Sequence, residues 1–276
     1  MGLLKKIVKL KWLPVRHWFD LRQAMGLHVS VRDPADGERY RFVADSLHSY
    51  QRAKEFLSKE PQTIDWLRRN VRPTDVFLDI GANVGTFSLF AARHMSADGH
   101  VYACEPHLPT AVQLLQNVAA NELQSRVSII SIAASGQDGF LPFRYKRWRP
   151  GASGSQLDGG PALDTPVGVE LKSGMRIDTM VESGVIRAPN LIKIDTDGLE
   201  IAIVSGMKGL LHGPNKPRSI LVEVQQGELK HQTDLMKSFG YHLAETHASS
   251  TDGEPQNAKR KQKEAVFNTV FEPDAK

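Results

Sequence analysis

Cysteine is almost missing from this chain. The 276 residues include one, Cys104, set in an apolar run, so a disulfide framework is excluded and a reducing compartment is expected. No cysteine or histidine pair has zinc-ligand spacing, and the ten histidines read as surface or packing residues. Long hydrophobic runs are absent too: nowhere do about eighteen apolar residues follow one another, which leaves no membrane span in the sequence. Charge of one sign is scarce, since 35 basic against 31 acidic residues give +4, too mild a balance to argue for nucleic acid. What remains is 41% hydrophobic content over a length that can bury a full core.

The most informative stretch runs from Val76 to Pro106. Val76–Ile80 is a short apolar run with Asp79 near its end, the pattern of a buried strand. Small residues from Gly81 to Gly85 follow, and Phe87, Phe90 and Ala91 then recur at helical spacing. A helix N-terminus entered from such a turn presents unpaired N–H groups to a polar ligand. Val101–Cys104 is a second buried strand, and Glu105 stands at its end, where an acid can accept both hydroxyls of a ribose. A dinucleotide site needs a third glycine that is missing here, and no Tyr-x-x-x-Lys pair supports a nicotinamide-dependent sugar oxidoreductase. A carboxylate at Asp79 repels a pyrophosphate but attracts an ammonium, which favours S-adenosylmethionine (SAM), whose tail is zwitterionic.

Asp79-Ile-Gly81-Ala82-Asn83-Val-Gly85, with Glu105-Pro106, resembles motif I and the acidic second strand of class I SAM-dependent methyltransferases, and the FkbM family in particular. The likeness spans about residues 60–272 and includes Leu191-Ile-Lys-Ile-Asp195-Thr-Asp197-Gly198-Leu-Glu200, where this chain has Asp197 and the family more often has Glu. It implies an α/β fold with a seven-stranded, doubly wound, mostly parallel sheet. The cofactor contacts expected are Asp79, Gly81, Ala82, Asn83, Gly85, Glu105, Pro106 and Ala133. Asp195 ends the fourth strand across the topological switch point from the first, and is expected to act as a base or to orient the acceptor, with Asp197 and Glu223 behind it. Glu223 interrupts an apolar strand, so it must be paired or line a cavity. Magnesium would suit these three acids, but no metal is expected. Asp197 and Glu200 also have capping-box spacing, and for Glu200 the cap is the favoured reading. The resemblance implies O-methyl transfer to a hydroxyl of a sugar, glycolipid or polyketide-type product. The contrasting reading is a membrane-surface binding protein that keeps the fold without catalysis.

Around this centre the chain divides into an extension, residues 1–70, and a SAM-binding domain, residues 71–276. Met1–Trp12 has Leu3, Leu4, Ile7 and Val8 on one helical face and Lys5, Lys6 and Lys9 opposite. It suits peripheral contact with an anionic membrane through residues 1–19, or packing on the domain. The expected location is cytoplasmic. His28–Arg32 and Arg39–Val43 read as a hairpin about Pro34–Gly37, and Lys54–Asn70 as a helix broken at Pro61. Val127–Ala133 is a strand ending at the ligand edge, followed by Phe140–Tyr145 and Val169–Met175. Between the last two, residues 146–166 are rich in Gly, Pro and Ser, either a loop covering the substrate with Trp148 and nearby arginines or a surface insertion. Ser219–Val224, Tyr241–Ala244 and Val266–Phe271 complete the sheet, and the polar stretch Ser249–Lys263 reads as a solvated loop.

Overall fold

The computed structural model describes residues 28–44, 47–160, 165–248 and 265–275. The basic stretch Met1–Trp12 and the charged stretch Ser249–Lys263 lie outside the described residues.

A seven-stranded sheet forms the centre. Its members are β3 (Val76–Ile80), β4 (His100–Cys104), β5 (Val127–Ile130), β10 (Leu191–Ile194), β11 (Ser219–Gln225), β12 (Tyr241–Ala248) and β13 (Val266–Pro273). They lie in the order β12-β13-β11-β10-β3-β4-β5, with β13 antiparallel to both its neighbours and the other pairs parallel. The expected sheet is therefore present. Because side chains alternate along a strand, each central strand feeds two cores. Phe77, Val101, Leu191 and Leu221 enter one, beneath α1 (Leu47–Lys54), α2 (Pro61–Asn70), α3 (Thr86–Arg93) and α4 (Leu108–Ala120). Leu78, Ile80, Ile192, Ile194 and Ile220 enter the other, beneath α5 (Ile177–Glu182), α6 (Glu200–Ser205), α7 (Lys208–His212) and α8 (Leu229–Ser238).

The hairpin forms as expected from β1 (His28–Arg32) and β2 (Arg39–Val43). Its Tyr40 and Phe42, with Phe56 and Trp66, enter the same core cluster as Phe77 and Phe90. Trp66 is fully buried and its Nε1 donates to Ser219 Oγ at 2.9 Å, which fixes α2 to β11. Truncating such a residue costs about 3–5 kcal/mol. Pro61 starts a helix instead of breaking one, because the first turn requires no N–H from it.

Two strand assignments change. The third parallel strand stops at Ile130, and β6 (Ala133–Ala134) pairs with β9 (Gly168–Met175) in a second sheet of order β6-β9-β7-β8. The other members are β7 (Gly139–Tyr145) and β8 (Gln156–Leu157). Part of the 146–166 segment is thus ordered by β8, which pairs with β7.

Candidate active site

The glycine turn is shaped by a close approach. Gly81 has φ +76°, and a Cβ there would lie 1.8 Å from the Asp195 carbonyl oxygen. Only glycine permits both the left-handed backbone and that contact. The turn's amides are largely occupied: Gly81 and Ala82 both donate to the Cys104 carbonyl at 3.0 Å, and Asn83 donates to Glu105 Oε2 at 2.8 Å. His107 N donates to Glu105 Oε1 at 2.9 Å. Glu105 therefore sits buried at the end of β4 with one backbone donor on each oxygen, and it keeps lone pairs for a ligand. Burial pushes its carboxyl up to about 7, opposed by the His107 and Asn83 amides.

Beside this turn lies a cavity of about 570 Å³, lined by Gly81, Ala82, Asn83, Glu105, Pro106 and Ala133 on one side and by Asp195, Asp197 and Glu223 on the other. Such a volume is usual for a small-molecule site. The structure brings these nine expected residues to one place. Gly85 instead supports the turn, with φ +87°, and a Cβ there would lie 2.2 Å from Leu114 Cδ1.

Asp79 is not among the lining residues. It is fully buried under the turn, where its Oδ2 accepts from Ser88 Oγ at 2.6 Å and its Oδ1 stands 3.9 Å from Lys193 Nζ. Burial raises its carboxyl above the usual range, and the Lys193 ammonium and Ser88 work against that rise. An acid so placed holds α3 and Lys193 in position rather than meeting a ligand's ammonium.

The acceptor side is built around Lys193. Strand register sets Lys193 opposite Asp79, and one step further Asp195 and Glu223 follow on the same face of β10 and β11. The Lys193 ammonium is buried, donates to Asp195 Oδ2 at 3.0 Å and lies 5.0 Å from the Phe87 ring centroid. Burial disfavours its charge, but Asp195, Asp79 and Glu60 outweigh burial and hold it protonated. Burial likewise works against ionised Asp195, and Lys193, by charge and hydrogen bond, keeps that carboxyl below its ordinary value. The Asp195 charge, followed by burial, pushes Glu223 up to about 9, and the two carboxyls share a hydrogen bond. At neutral pH one proton thus sits on Glu223. Among the described residues no three of His, Cys, Asp and Glu converge to hold a metal ion.

Asp197 does something other than expected. Its backbone is left-handed, φ +60°, and its Oδ2 accepts from Gly154 N at 2.7 Å, tying the 146–166 segment down beside the cavity. The capping box is also absent. Leu199 is the N-cap of α6, and Glu200 Oε1 accepts from Thr196 N, Thr196 Oγ1 and Gly198 N at 2.9, 2.9 and 3.1 Å. Its carboxylate holds the loop, not a reciprocal cap. The same segment is pinned elsewhere: His107 Nε2 lies 2.8 Å from the Arg147 carbonyl, and Gly151 N donates to Thr110 Oγ1 at 3.1 Å. Ala152, Ser153, Gly154 and Ser155 line the cavity, whereas Trp148 turns away onto Tyr145, ring centroids 4.6 Å apart.

The extension supplies a wall. Gln51, Arg52, Phe56, Lys59 and Glu60 all line the cavity. Burial and then the Asp195 charge raise the Glu60 carboxyl, and the charges of Asp195, Glu60, Asp197 and Glu105 surround Arg52. Nothing in the local sequence pattern marks these residues. Lys193 was detectable, since a lysine between Ile192 and Ile194 in a buried strand demands a partner.

A doubly wound sheet with a glycine turn after its first strand and an acid ending the second defines a class I SAM-dependent methyltransferase fold. The methyltransferase FkbM domain matches residues 79–243. The chain belongs to the FkbM methyltransferase family, and SAM is its cofactor. It is 26% identical over 231 residues to the hexuronic acid methyltransferase AglP of Haloferax volcanii, covering 82% of this chain and 85% of that protein. Among solved structures it is similar to a SAM-dependent O-methyltransferase from Thermotoga maritima, with TM-score 0.45, 11% identity and coverage of 90% and 78%. It is also similar to a putative rRNA methylase from Clostridium thermocellum, with TM-score 0.48, 8% identity and coverage of 79% and 97%. The residues present fit SAM. Glu105 would take the ribose hydroxyls, the turn at Gly81–Asn83 leaves room for close approach, and Ala133, Phe143 and Leu157 offer an apolar surface for a purine.

Proposed function

We propose that this methyltransferase acts on a hydroxyl of a sugar-type acceptor, free or carried on a lipid, and that Asp195 holds that hydroxyl. One observation carries the reading: an ionised Asp195, fixed by Lys193, faces the cavity directly across from the Glu105 half-site. The AglP resemblance supports a sugar acceptor. Bound SAM supplies a methyl group on a sulfonium whose leaving thioether is neutral, so the protein needs no general acid for departure. A carboxylate of low pKa is a weak base toward a resting alcohol but a good hydrogen-bond acceptor. Asp195 orients the hydroxyl and takes its proton late, when the oxygen has become strongly acidic. Protonated Glu223 donates to Asp195 and limits its rotation. Orientation of this kind supplies up to about 7–11 kcal/mol of barrier reduction. Nicotinamide-dependent oxidation lacks support once the family is known, and a purely binding role leaves the Asp195–Lys193 pair without purpose.

The test is Asp195→Asn, assayed over a panel of neutral sugars, uronic acids and glycolipids. Turnover should fall about 10²–10⁴-fold while SAM affinity changes less than about threefold. Turnover within about fivefold of the parent would remove Asp195 from the chemistry.

A further inference from the structure

One face of the second sheet is apolar and open. In the β7–β9 pair, Phe143 and Tyr145 with their partners Glu170 and Gly168 point to the protein side, where Phe143 and Tyr145 are buried. The alternate residues point outward: Phe140, Pro142 and Arg144 on β7, and Val169, Leu171 and Ser173 on β9. An outward face of an antiparallel sheet is ordinarily polar. Here Phe140 is 74% exposed, Leu171 69%, Val169 56% and, just before the strand, Val167 51%. A contiguous patch of this kind marks an interaction surface.

Its surroundings identify the partner. At the end of β7 the chain runs into Lys146-Arg147-Trp148-Arg149, four exposed residues in succession. Arg144 pairs with Asp158, but among the described residues no ion pair holds Lys146, Arg147 or Arg149. Cations around an apolar face, with an exposed tryptophan between them, suit the boundary of an anionic bilayer: the apolar side chains enter the acyl edge and the guanidinium groups meet headgroup phosphates. Among the described residues no helix is long and apolar enough to cross a membrane, so this is docking and not spanning. The same segment continues into Ala152–Ser155 at the cavity, which places the docking face next to the acceptor's entrance. We propose that the outer face of the β7–β9 sheet, with the 146–149 turn, docks on an anionic lipid surface and presents the cavity to acceptors held there.

The experiment is co-sedimentation of the full chain with vesicles of phosphatidylcholine alone or with roughly one-third phosphatidylglycerol. Binding should require the anionic lipid and weaken as salt rises. Phe140→Ser with Leu171→Ser should reduce the bound fraction at least about tenfold, and Arg147→Gln or Arg149→Gln about fivefold each. Retained SAM binding certifies that each variant is folded, and Val167→Thr with Val169→Thr, nearly isosteric, carries the test where the serine pair does not fold. Exchange of Lys5, Lys6 and Lys9 for serine should leave binding in place. Three results would overturn the proposal: no sedimentation with anionic vesicles, binding that survives the sheet substitutions but is lost with the three lysines, or a lipid-free dimer that the sheet substitutions convert to monomer.

Discussion

The two halves of the cavity are built by opposite means. On the cofactor side, from Gly81 to His107, the polar contacts run between backbone amides and a carboxylate a few residues away: Asn83 and His107 on Glu105, Gly81 and Ala82 on Cys104. On the acceptor side, charged side chains hold one another, and they come from Asp79, Lys193, Asp195, Glu223 and, in the extension, Glu60. The first half is a local device and the second a meeting of distant segments. The halves touch at one point, where Gly81 abuts the Asp195 carbonyl.

That contact gives the largest expected effect. Gly81→Ala must push Asp195 aside and also strain a left-handed residue, so it should cost on the order of 3 kcal/mol in stability. SAM binding and turnover should both fall, since each half leans on the other there. Denaturant unfolding and calorimetry measure the two. A variant with normal stability and only one function impaired would mean that the halves are mechanically separate.

A smaller effect should stay within the cofactor half. Glu105 has its carboxyl raised from 4.5 to about 7, equivalent to about 3 kcal/mol between its two protonation states. The folded-state value lies above the unfolded one. The associated stability is therefore fully present below about pH 4.5 and is lost as pH rises through about 7. Glu105→Gln should flatten this dependence of the apo protein between those limits. Cofactor affinity should move in the opposite direction in the parent, strengthening as Glu105 ionises. Parallel pH profiles of stability for parent and variant would show that Glu105 is not the titrating group.

The same contrast explains what could be read from the residue string. Gly81, Asn83, Gly85 and Glu105 act within about 25 residues of one another, so their spacing carried the information. The seven strands were legible because each is a short apolar run between turns. Arg52 and Glu60 gave no signal, since only the packing of α1 and α2 on the sheet delivers them to the cavity. Asp197 and Glu200 gave a misleading one: the spacing matched a capping box, but the left-handed Asp197 delays the helix until after Leu199. Ala133 was placed at the cavity, but in the wrong sheet, because a two-residue strand has too little pattern to show its partner.

The finest test separates proton from charge inside the acceptor half. Glu223 is raised to about 9 chiefly by the charge of Asp195, so it stays protonated below that value and loses its proton above it. If the proton steadies Asp195, kcat/KM should fall as pH rises through about 9. Glu223→Gln keeps a donor at every pH. It should retain activity within about threefold at neutral pH and lose the alkaline fall. Glu223→Ala, with no donor, should lower activity about tenfold across the range. In Asp195→Asn the dominant cause of the Glu223 shift is gone, so any residual activity should show its alkaline limb at lower pH or not at all. Identical alkaline limbs in the parent and in Glu223→Gln would assign that titration elsewhere, leaving Lys193 as the sole partner that fixes Asp195 and making the acceptor half simpler than its four charges suggest.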